Sequence, residues 1–327
     1  MTISTRLTEL LEIRHPVLLA PMDTISSGAL AAAVSRAGGF GIVGGGYGDE
    51  ARLARDLEAA GDARIGVGFI TWSMARNSRL LDLALERKPA AIMLSFGDIT
   101  PYADRIKRAG ASLICQVQSV AQAKDVAARG ADAIVAQGTE AGGHGAARAT
   151  FPLVPAVVDA AGAVPVIAAG GIADGRGLAA ALMLGADGVL MGTRFLACTE
   201  AATTDDAKRR VVAATGDGTI RSSLFDIVRR REWPAPYTGR VLQNDFTARW
   251  RGREVELMHN IAREEVAYEE ARKRGDLDIA VLHAGEAVDL IDDILPAAEI
   301  VARTVAGATT LIAGASNRYK ADEPAAS

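Results

Sequence analysis

The 327-residue sequence has few cysteines and little net charge, and each shortage excludes a class of protein. Its two cysteines, Cys115 and Cys198, lie far apart without the paired spacing of a zinc site, so we predict no metal and expect two ordinary small apolar residues. The net charge is −4, and no basic stretch is interleaved with aromatic residues. A nucleic-acid partner is therefore not expected.

Long apolar runs are also missing. No run free of charges or glycines reaches the roughly 18–20 residues that a membrane-spanning helix needs. Residues 1–15 show no basic patch followed by an apolar core and a cleavage site, which a secretion signal would have. We therefore expect a cytoplasmic protein with no membrane partner.

What is present is a regular alternation of strand-like and helix-like segments. Hydrophobic residues make up 49% of the chain, which is enough for a sizeable core. Short runs rich in Val, Ile and Leu alternate with Ala-rich stretches of helical period until about residue 200, a pattern typical of parallel strands joined by helices. The predicted strands are Val17–Ala20, Phe40–Val43, Ile65–Phe69, Ala90–Leu94, Ser112–Gln116, Ala131–Ala136, Val164–Ala168 and Gly188–Met191. The predicted helices include Ser27–Ala37, Glu50–Ala60, Arg76–Arg87, Val120–Arg129 and Gly175–Leu184.

Eight such units favour an α/β protein built as a (β/α)8 TIM barrel with a helical appendage in its C-terminal third, because open doubly wound sheets usually have about five or six strands. We assign residues 1–203 to the barrel core. Residues 204–285 are charged and carry Trp233 and Tyr237, and we predict helical or irregular structure there without a further strand, acting either as a lid over the barrel mouth or as an outer buttress. Residues 286–327 are predicted to form a closing helix, Ala287 to about Ala313, that packs on the barrel and ends in a frayed tail over residues 316–327.

In a parallel barrel the loops after the strands form the active surface, and here glycine is concentrated in those loops. Gly170-Gly171 and Gly192-Thr193 follow the seventh and eighth predicted strands. A phosphate site recurs at these two loops, and glycine lets backbone N–H groups come close to an anion. We therefore predict that they bind a phosphate, with Arg194 able to add charge; the alternative is that these glycines serve only tight turns.

The loop after the sixth strand is long and glycine-rich, and it carries Gln137, Glu140 and His144. Of four histidines, His144 is the one on a strand-end loop, and a neutral imidazole can accept a proton near pH 7. We predict a general base, against the alternative of a surface histidine in a flexible loop. Glu140 either orients the loop or is solvated. His259 and His283 are expected to be ordinary packing or surface residues.

Four strings are similar to those of a known family: HPVLLAPM (His15–Met22), QGTEAGGH (Gln137–His144), AAGGIADGRGLAAAL (Ala168–Leu182) and GADGVLMGTRFL (Gly185–Leu196). Together they resemble the nitronate monooxygenases, formerly called 2-nitropropane dioxygenases. The resemblance implies an FMN-containing barrel that oxidises alkyl nitronates with O2 to a carbonyl compound and nitrite, with His144 as the catalytic base. It also allows nitroalkanes as substrates, and a homodimer is possible.

The cofactor implied by this resemblance is FMN, with contacts expected at strand ends and rim loops. The predicted contact residues are Ala20, Pro21, Met22, Gly68, Gln116, Gln137, Gly142, Gly143, Ala169, Gly170, Gly171, Met191, Gly192 and Thr193. One departure stands at Gly68, in the string GVGF, where many members have Asn against the flavin. This leaves the subgroup open.

Three other functions are compatible with these motifs. Flavin-dependent enoyl-ACP reductases share the fold and a Gly-Gly-His loop, and an NADH:quinone reductase belongs to the same broad superfamily. A non-catalytic barrel that binds a phosphate ligand is the alternative from another class. The Gln-Gly entry to the sixth loop and the string Ser95-Phe96-Gly97 favour nitronate oxidation.

Overall fold

Eight parallel strands form a closed barrel in the computed structural model, which describes residues 2–318. The strands are β1 (Val17–Leu19), β2 (Gly41–Gly44), β3 (Ile65–Ile70), β4 (Ala91–Ser95), β5 (Ser112–Val117), β6 (Ala133–Gln137), β7 (Gly143–Gly145), β8 (Val166–Ala169), β9 (Gly188–Met191), β10 (Thr219–Ser222) and β11 (Thr238–Leu242). The barrel runs in the order β1-β9-β8-β6-β5-β4-β3-β2, and a parallel bridge between Leu18 and Phe40 closes it. All eight predicted barrel strands are confirmed.

Helices surround this barrel, and each predicted helix is present. They are α1 (Arg6–Leu11), α2 (Gly28–Arg36), α3 (Glu50–Ala59), α4 (Thr71–Met74), α5 (Arg79–Glu86), α6 (Ala103–Arg108), α7 (Val120–Ala128), α8 (Thr150–Ala161), α9 (Gly175–Met183), α10 (Thr193–Leu196), α11 (Asp205–Ala213), α12 (Leu224–Val228), α13 (Asp245–Trp250), α14 (Glu254–His259), α15 (Ile261–Arg274) and α16 (Ala297–Arg318). Short 3-10 helices occupy Gly216–Gly218 and Glu286–Leu290.

The last helix completes the outer ring of the barrel. Helix α16 packs against both α9 and α2, so it takes the place of the eighth barrel helix. Residues 197–296, called the insertion below, therefore lie between the eighth barrel strand and its own helix. Because loops after strands lie at the carboxyl end of a barrel, the insertion begins at the mouth where the active site is expected.

The predicted start of this helix is wrong, since it begins at Ala297 rather than Ala287. The Glu200 carboxylate accepts a hydrogen bond from the Ala297 N–H at 3.0 Å, and a carboxylate at this end of a helix is favourable. Of the predicted frayed tail, residues 319–327 lie outside the described residues, and residues 316–318 are helical.

The expectation that no strand follows residue 203 is also wrong. Strands β10 and β11 pair antiparallel with each other, and β11 pairs with β7 in the sixth loop. Both strands are short, and each carries an arginine, Arg221 or Arg240, so their sequences read as charged loop segments. The resulting three-stranded sheet joins the insertion to the barrel rim.

Apolar side chains fill the barrel interior in layers. Leu18, Ile42, Met93, Ile114, Val135, Ile167 and Leu190 belong to one buried cluster. Helix α1 closes the amino end of the barrel by placing Leu7 and Leu11 in the same cluster, and Arg6 holds this helix to Asp187 at 2.7 Å. Within residues 2–318, the helices are too short or too polar to span a bilayer.

Gly175 lies where α9 and α16 touch, and it provides a test of this packing. A Cβ at this position would lie 2.5 Å from the Ala308 amide nitrogen, so one of the two helices would have to move. We expect Gly175→Ala to lower the free energy of unfolding by about 1–3 kcal/mol, as overpacking of tight contacts does. Urea denaturation followed by circular dichroism measures this.

Gly314→Ala is the matched control on α16, because no described heavy atom lies within 4 Å of a Cβ there. Its expected effect is a gain of up to about 1 kcal/mol, from the higher helix propensity of alanine. Equal effects of the two substitutions would show that the contact between α9 and α16 does not constrain position 175.

Candidate active site

The sixth loop brings His144 to the barrel mouth as part of a strand. Barrel strand β6 ends at Gln137, the chain turns through glycines, and β7 then places His144 opposite Gly239 of β11. The Gln137 side-chain amide donates to the His144 carbonyl at 3.0 Å. His144 is 8% exposed, so the alternative of a surface histidine in a flexible loop is not what the structure has.

Two arginines of the insertion hold the sixth loop. Arg221 donates to the carbonyl oxygens of Thr139 and Ala141 at 2.8 and 3.1 Å, and to the Gly145 carbonyl at 3.2 Å. Arg240 donates to the same Thr139 oxygen at 2.9 Å and pairs with a glutamate, Glu286, at 2.8 Å. Burial, and next the charge of Arg240, lower the pKa of Arg221 to about 10, which still leaves it charged at neutral pH.

The imidazole of His144 is held at its edge and on its face. Its Nε2 lies 3.0 Å from both carboxylate oxygens of Asp226, a buried residue of α12. The Trp233 ring is stacked on it, with centroids 3.5 Å apart and an interplanar angle of 5°. Burial lowers the pKa of His144, and Asp226 opposes this by raising it. The ring is therefore neutral at physiological pH, which a base requires.

His283 is a second imidazole beside this site, and ordinary packing was expected for it. Its ring centroid lies 5.8 Å from that of His144. Burial lowers its pKa to about 3, with further lowering by the neighbouring His144 ring and the Arg229 charge, so it stays neutral over the physiological range. Its Nδ1 is buried and has no partner among residues 2–318. No spacing in the sequence indicates this pairing, since the two histidines are far apart along the chain.

A layer of side-chain amides lies beneath the mouth. Gln137 accepts hydrogen bonds from the amides of Gln116 and Gln118 at 3.0 and 2.9 Å. Gln116 and Gln137 stand two residues after Ile114 and Val135, which face the barrel interior, so strand alternation points both amides into the mouth. Gln118 was missed because it lies just beyond the end of β5.

The glycines of the seventh and eighth loops have the backbone that a phosphate cradle needs. Gly170 and Gly171 have φ of +103° and +72°, which side chains other than glycine rarely adopt. Gly192 and Thr193 are half-buried in the neighbouring loop. The Thr193 hydroxyl accepts a hydrogen bond from the Gly285 N–H at 2.9 Å, which leaves its own proton free to donate. This donor set fits a phosphate.

Arg194 does not add charge to this cradle, contrary to expectation. Its side chain is buried and pairs with Asp293 at 3.0 Å, which ties the eighth loop to the segment before α16. Glu140 also has a structural contact, since its carboxylate accepts hydrogen bonds from the N–H and hydroxyl of Thr150 at the start of α8.

The other predicted contact residues lie around the same mouth at different depths. Ala20, Pro21 and Met22 are half-buried at the end of β1. Gly68 is buried, and a Cβ there would lie 2.5 Å from Pro21, so the missing asparagine makes room for this proline. Ala169 belongs to the interior cluster, whereas the Met191 side chain belongs to the outer cluster facing the helices.

Near Gly142 and Gly143 the loop has one closed side and one open side. A Cβ on Gly142 would lie 2.7 Å from the backbone of Ala284 and Gly285, so the insertion closes that side. Gly143, with φ of +71°, has no described heavy atom within 4 Å of such a Cβ.

An aromatic segment of the insertion crosses the mouth. Trp233 donates from its indole N–H to the Tyr47 hydroxyl at 3.2 Å and contacts Phe96 edge-on, with centroids 5.0 Å apart. Tyr237 accepts a hydrogen bond from Gln122 at 2.9 Å. These contacts reach the loops after β2 and β4 and the start of helix α7. They place the aromatic side chains of the insertion beside His144 and the neighbouring barrel loops.

Comparison with known proteins places these features in a family. The family model described as nitronate monooxygenase matches residues 4–67 and 63–307. A nitronate monooxygenase of Neurospora crassa is 35% identical over 339 aligned positions, which cover 88% of each chain. The structure of FabK from Thermotoga maritima has a TM-score of 0.85 and 33% identity, covering 97% of this chain and 100% of that one.

A further relative has a different name. The (3aS,4S,5R,7aS)-5-hydroxy-7a-methyl-1-oxo-octahydro-1H-indene-4-carboxyl-CoA dehydrogenase of Mycobacterium tuberculosis is 38% identical over 231 residues. That match covers 69% of this chain and 65% of the relative's own length, so it leaves about a third of each outside the comparison.

The arginine hold on the sixth loop is testable. Leucine at position 221 would remove the donors to the Thr139, Ala141 and Gly145 carbonyl oxygens, and unpaired buried polar groups are costly. We expect Arg221→Leu to lower the free energy of unfolding by about 2 kcal/mol or more, and to speed amide hydrogen exchange over residues 138–146. Hydrogen-exchange mass spectrometry measures the second effect. Arg209→Leu, at an exposed arginine of α11, is the control, and unchanged exchange in Arg221→Leu would contradict the assigned role.

Proposed function

This chain belongs to the nitronate monooxygenase family, and from that premise we propose that it is an FMN-dependent enzyme that oxidises alkyl nitronates with O2 to a carbonyl compound and nitrite. The observation that carries the proposal is the placement of His144. A neutral imidazole, fixed by Asp226 and Trp233, stands at a barrel mouth that also has a glycine cradle for a phosphate. Such a mouth suits a flavin phosphate and a proton acceptor in one site.

The residues that would hold the cofactor follow from this geometry. Backbone N–H groups at Gly170, Gly171 and Gly192, with the Thr193 hydroxyl, would bind the phosphate, since converging main-chain donors suit an anion. The amides of Gln116 and Gln137, directed into the mouth, would hydrogen-bond the polar edge of the ring. When bound, FMN supplies the electron-transfer chemistry, and the protein supplies binding and orientation.

His144 would act on the substrate's proton and charge. With a neutral nitroalkane, the imidazole accepts the proton on the carbon next to the nitro group; with a preformed nitronate, that step is already complete. The positive charges of Arg221 and Arg229 both contribute to lowering the pKa of His144. The same charges favour an anionic substrate near the imidazole. The aromatic side chains over His144 would limit the access of water to this proton transfer.

A second candidate is reduction of a substrate by NAD(P)H. It is supported by the structural similarity to FabK and by the relative named as a carboxyl-CoA dehydrogenase. The two candidates differ in what reduces the flavin without oxygen. Bleaching of the visible flavin spectrum by ethylnitronate, but not by NAD(P)H, would support nitronate oxidation, and rapid bleaching by NAD(P)H would support the reductase.

The proposed function predicts a split between two substrates in the variant His144→Asn. A general base contributes about 10²–10⁴-fold, so nitrite formation from nitroethane should fall by about that factor. Ethylnitronate needs no deprotonation, so its oxidation should fall much less. Nitrite release under air, from purified protein whose visible spectrum shows bound flavin, measures both rates.

The matched control is His259→Asn, at an exposed histidine in the last turn of α14, which should leave both rates unchanged. Equal losses on both substrates in His144→Asn would assign His144 to binding rather than to proton transfer. Colourless protein that takes up no FMN would refute the flavin proposal and favour a binding barrel.

A further inference from the structure

We propose that Asp226 is a positioning residue that fixes which nitrogen of His144 carries the proton. The insertion, through Asp226, thereby leaves the other ring nitrogen free to act as the base. The base role itself rests on the proposed function. The tautomer and its dependence on Asp226 do not, because they are properties of the folded chain that can be observed without substrate.

The first step is the geometry of the carboxylate. Asp226 lies in α12 with a buried side chain, and both of its oxygens are 3.0 Å from Nε2 of His144. Within the described chain no other hydrogen-bond donor reaches this carboxylate. Both carboxylate oxygens face the same ring nitrogen, and an N–H on Nε2 can donate to them, which assigns the shared proton to Nε2.

The second step concerns the other ring nitrogen. With Nε2 protonated, neutral His144 has its lone pair on Nδ1. Among residues 2–318, Nδ1 has no hydrogen-bond partner, and this atom is not completely shielded from solvent. This nitrogen is the one available to accept a proton. The parallel Trp233 ring at 3.5 Å resists a turn of the imidazole that would exchange the two nitrogens.

The third step concerns charge. The charged and titratable groups that act on the imidazole are Asp226 and Arg229 of the α12 region, Arg221 of β10, and His283. Burial and the two arginines disfavour an imidazolium, and Asp226 is the one group among them that favours it. When Nδ1 accepts a proton, the carboxylate faces the new positive charge and stabilises it.

Asp226 belongs to the insertion, whereas His144 belongs to the sixth barrel loop. The barrel loop therefore supplies the imidazole, and the insertion supplies its orientation. Removing the charge of a carboxylate that orients a catalytic histidine lowers turnover by up to about 10⁴-fold.

The test compares wild-type full-length protein with Asp226→Asn, in which the amide oxygen can still accept from Nε2 but the charge is gone. The chain has only four histidines, so long-range ¹H–¹⁵N spectra of the ¹⁵N-labelled protein are tractable, and His144→Asn assigns the signal. We expect His144 to be the Nε2–H tautomer in the wild type, and its pKa to fall in Asp226→Asn because the carboxylate raises it.

Turnover of nitroethane gives the second readout. Activity needs neutral His144, so it is lost as the pH falls through the pKa of His144; a lower pKa moves this loss to lower pH. We expect the acid limb of kcat/KM in Asp226→Asn to move to lower pH while the plateau falls by up to about 10⁴-fold. A merely structural role would lower the plateau without moving the limb. Asp159→Asn, at an exposed carboxylate of α8, should change neither.

The outcomes are separable. The inference is overturned by an Nδ1–H tautomer in the wild type or by an unchanged pKa of His144 in Asp226→Asn. The tautomer is measured on wild-type protein alone, so that result is decisive even if the variant does not fold. If the spectra agree with expectation while the wild type turns over no nitro compound, the proposed function fails and the positioning role of Asp226 stands. Asp226→Glu, which keeps the charge, should retain the wild-type tautomer.

Discussion

The hold of Arg221 and Arg240 on the carbonyl oxygens of the sixth loop is the interaction on which the rest of the site depends. A loop rich in glycine loses more conformational entropy on ordering than other segments, so it needs strong compensating contacts to keep one shape. Guanidinium groups supply several donors in a fixed plane, and hydrogen bonds from charged donors are the stronger kind. His144 has a defined position because this loop is held.

This arrangement makes the site a joint product of two parts of the chain. The barrel provides the glycine rim and the amide layer, in the usual place for the fold. The insertion provides the partner strand of β7, the arginines, Asp226, Trp233 and His283. Variation in the insertion therefore changes the environment of the imidazole without altering the barrel, which is one way in which a family keeps a fold while its members act on different molecules.

The sequence predicted the barrel well because its signals are local. Each strand is a continuous apolar run buried on both sides, and each is followed by an amphipathic or Ala-rich helix. The rim residues could be predicted for the same reason, since strand ends fix which positions face the mouth. The glycines at 170 and 171 take the backbone conformation that their residue type suggested.

What could not be predicted depends on pairing at long range. Strands β10 and β11 are short and polar, and β7, which pairs with β11, is a glycine stretch, so none of the three has a strand pattern of its own. Asp226 sits in a five-residue helix with nothing to mark it, and its partner is 82 residues earlier.

The closure of the ring by α16 has a consequence for biosynthesis. Until α16 has left the ribosome, the surfaces of α2 and α9 that it covers stay exposed. The insertion must be synthesised before α16 can cover this surface, and exposed apolar surface makes an incomplete chain prone to aggregation.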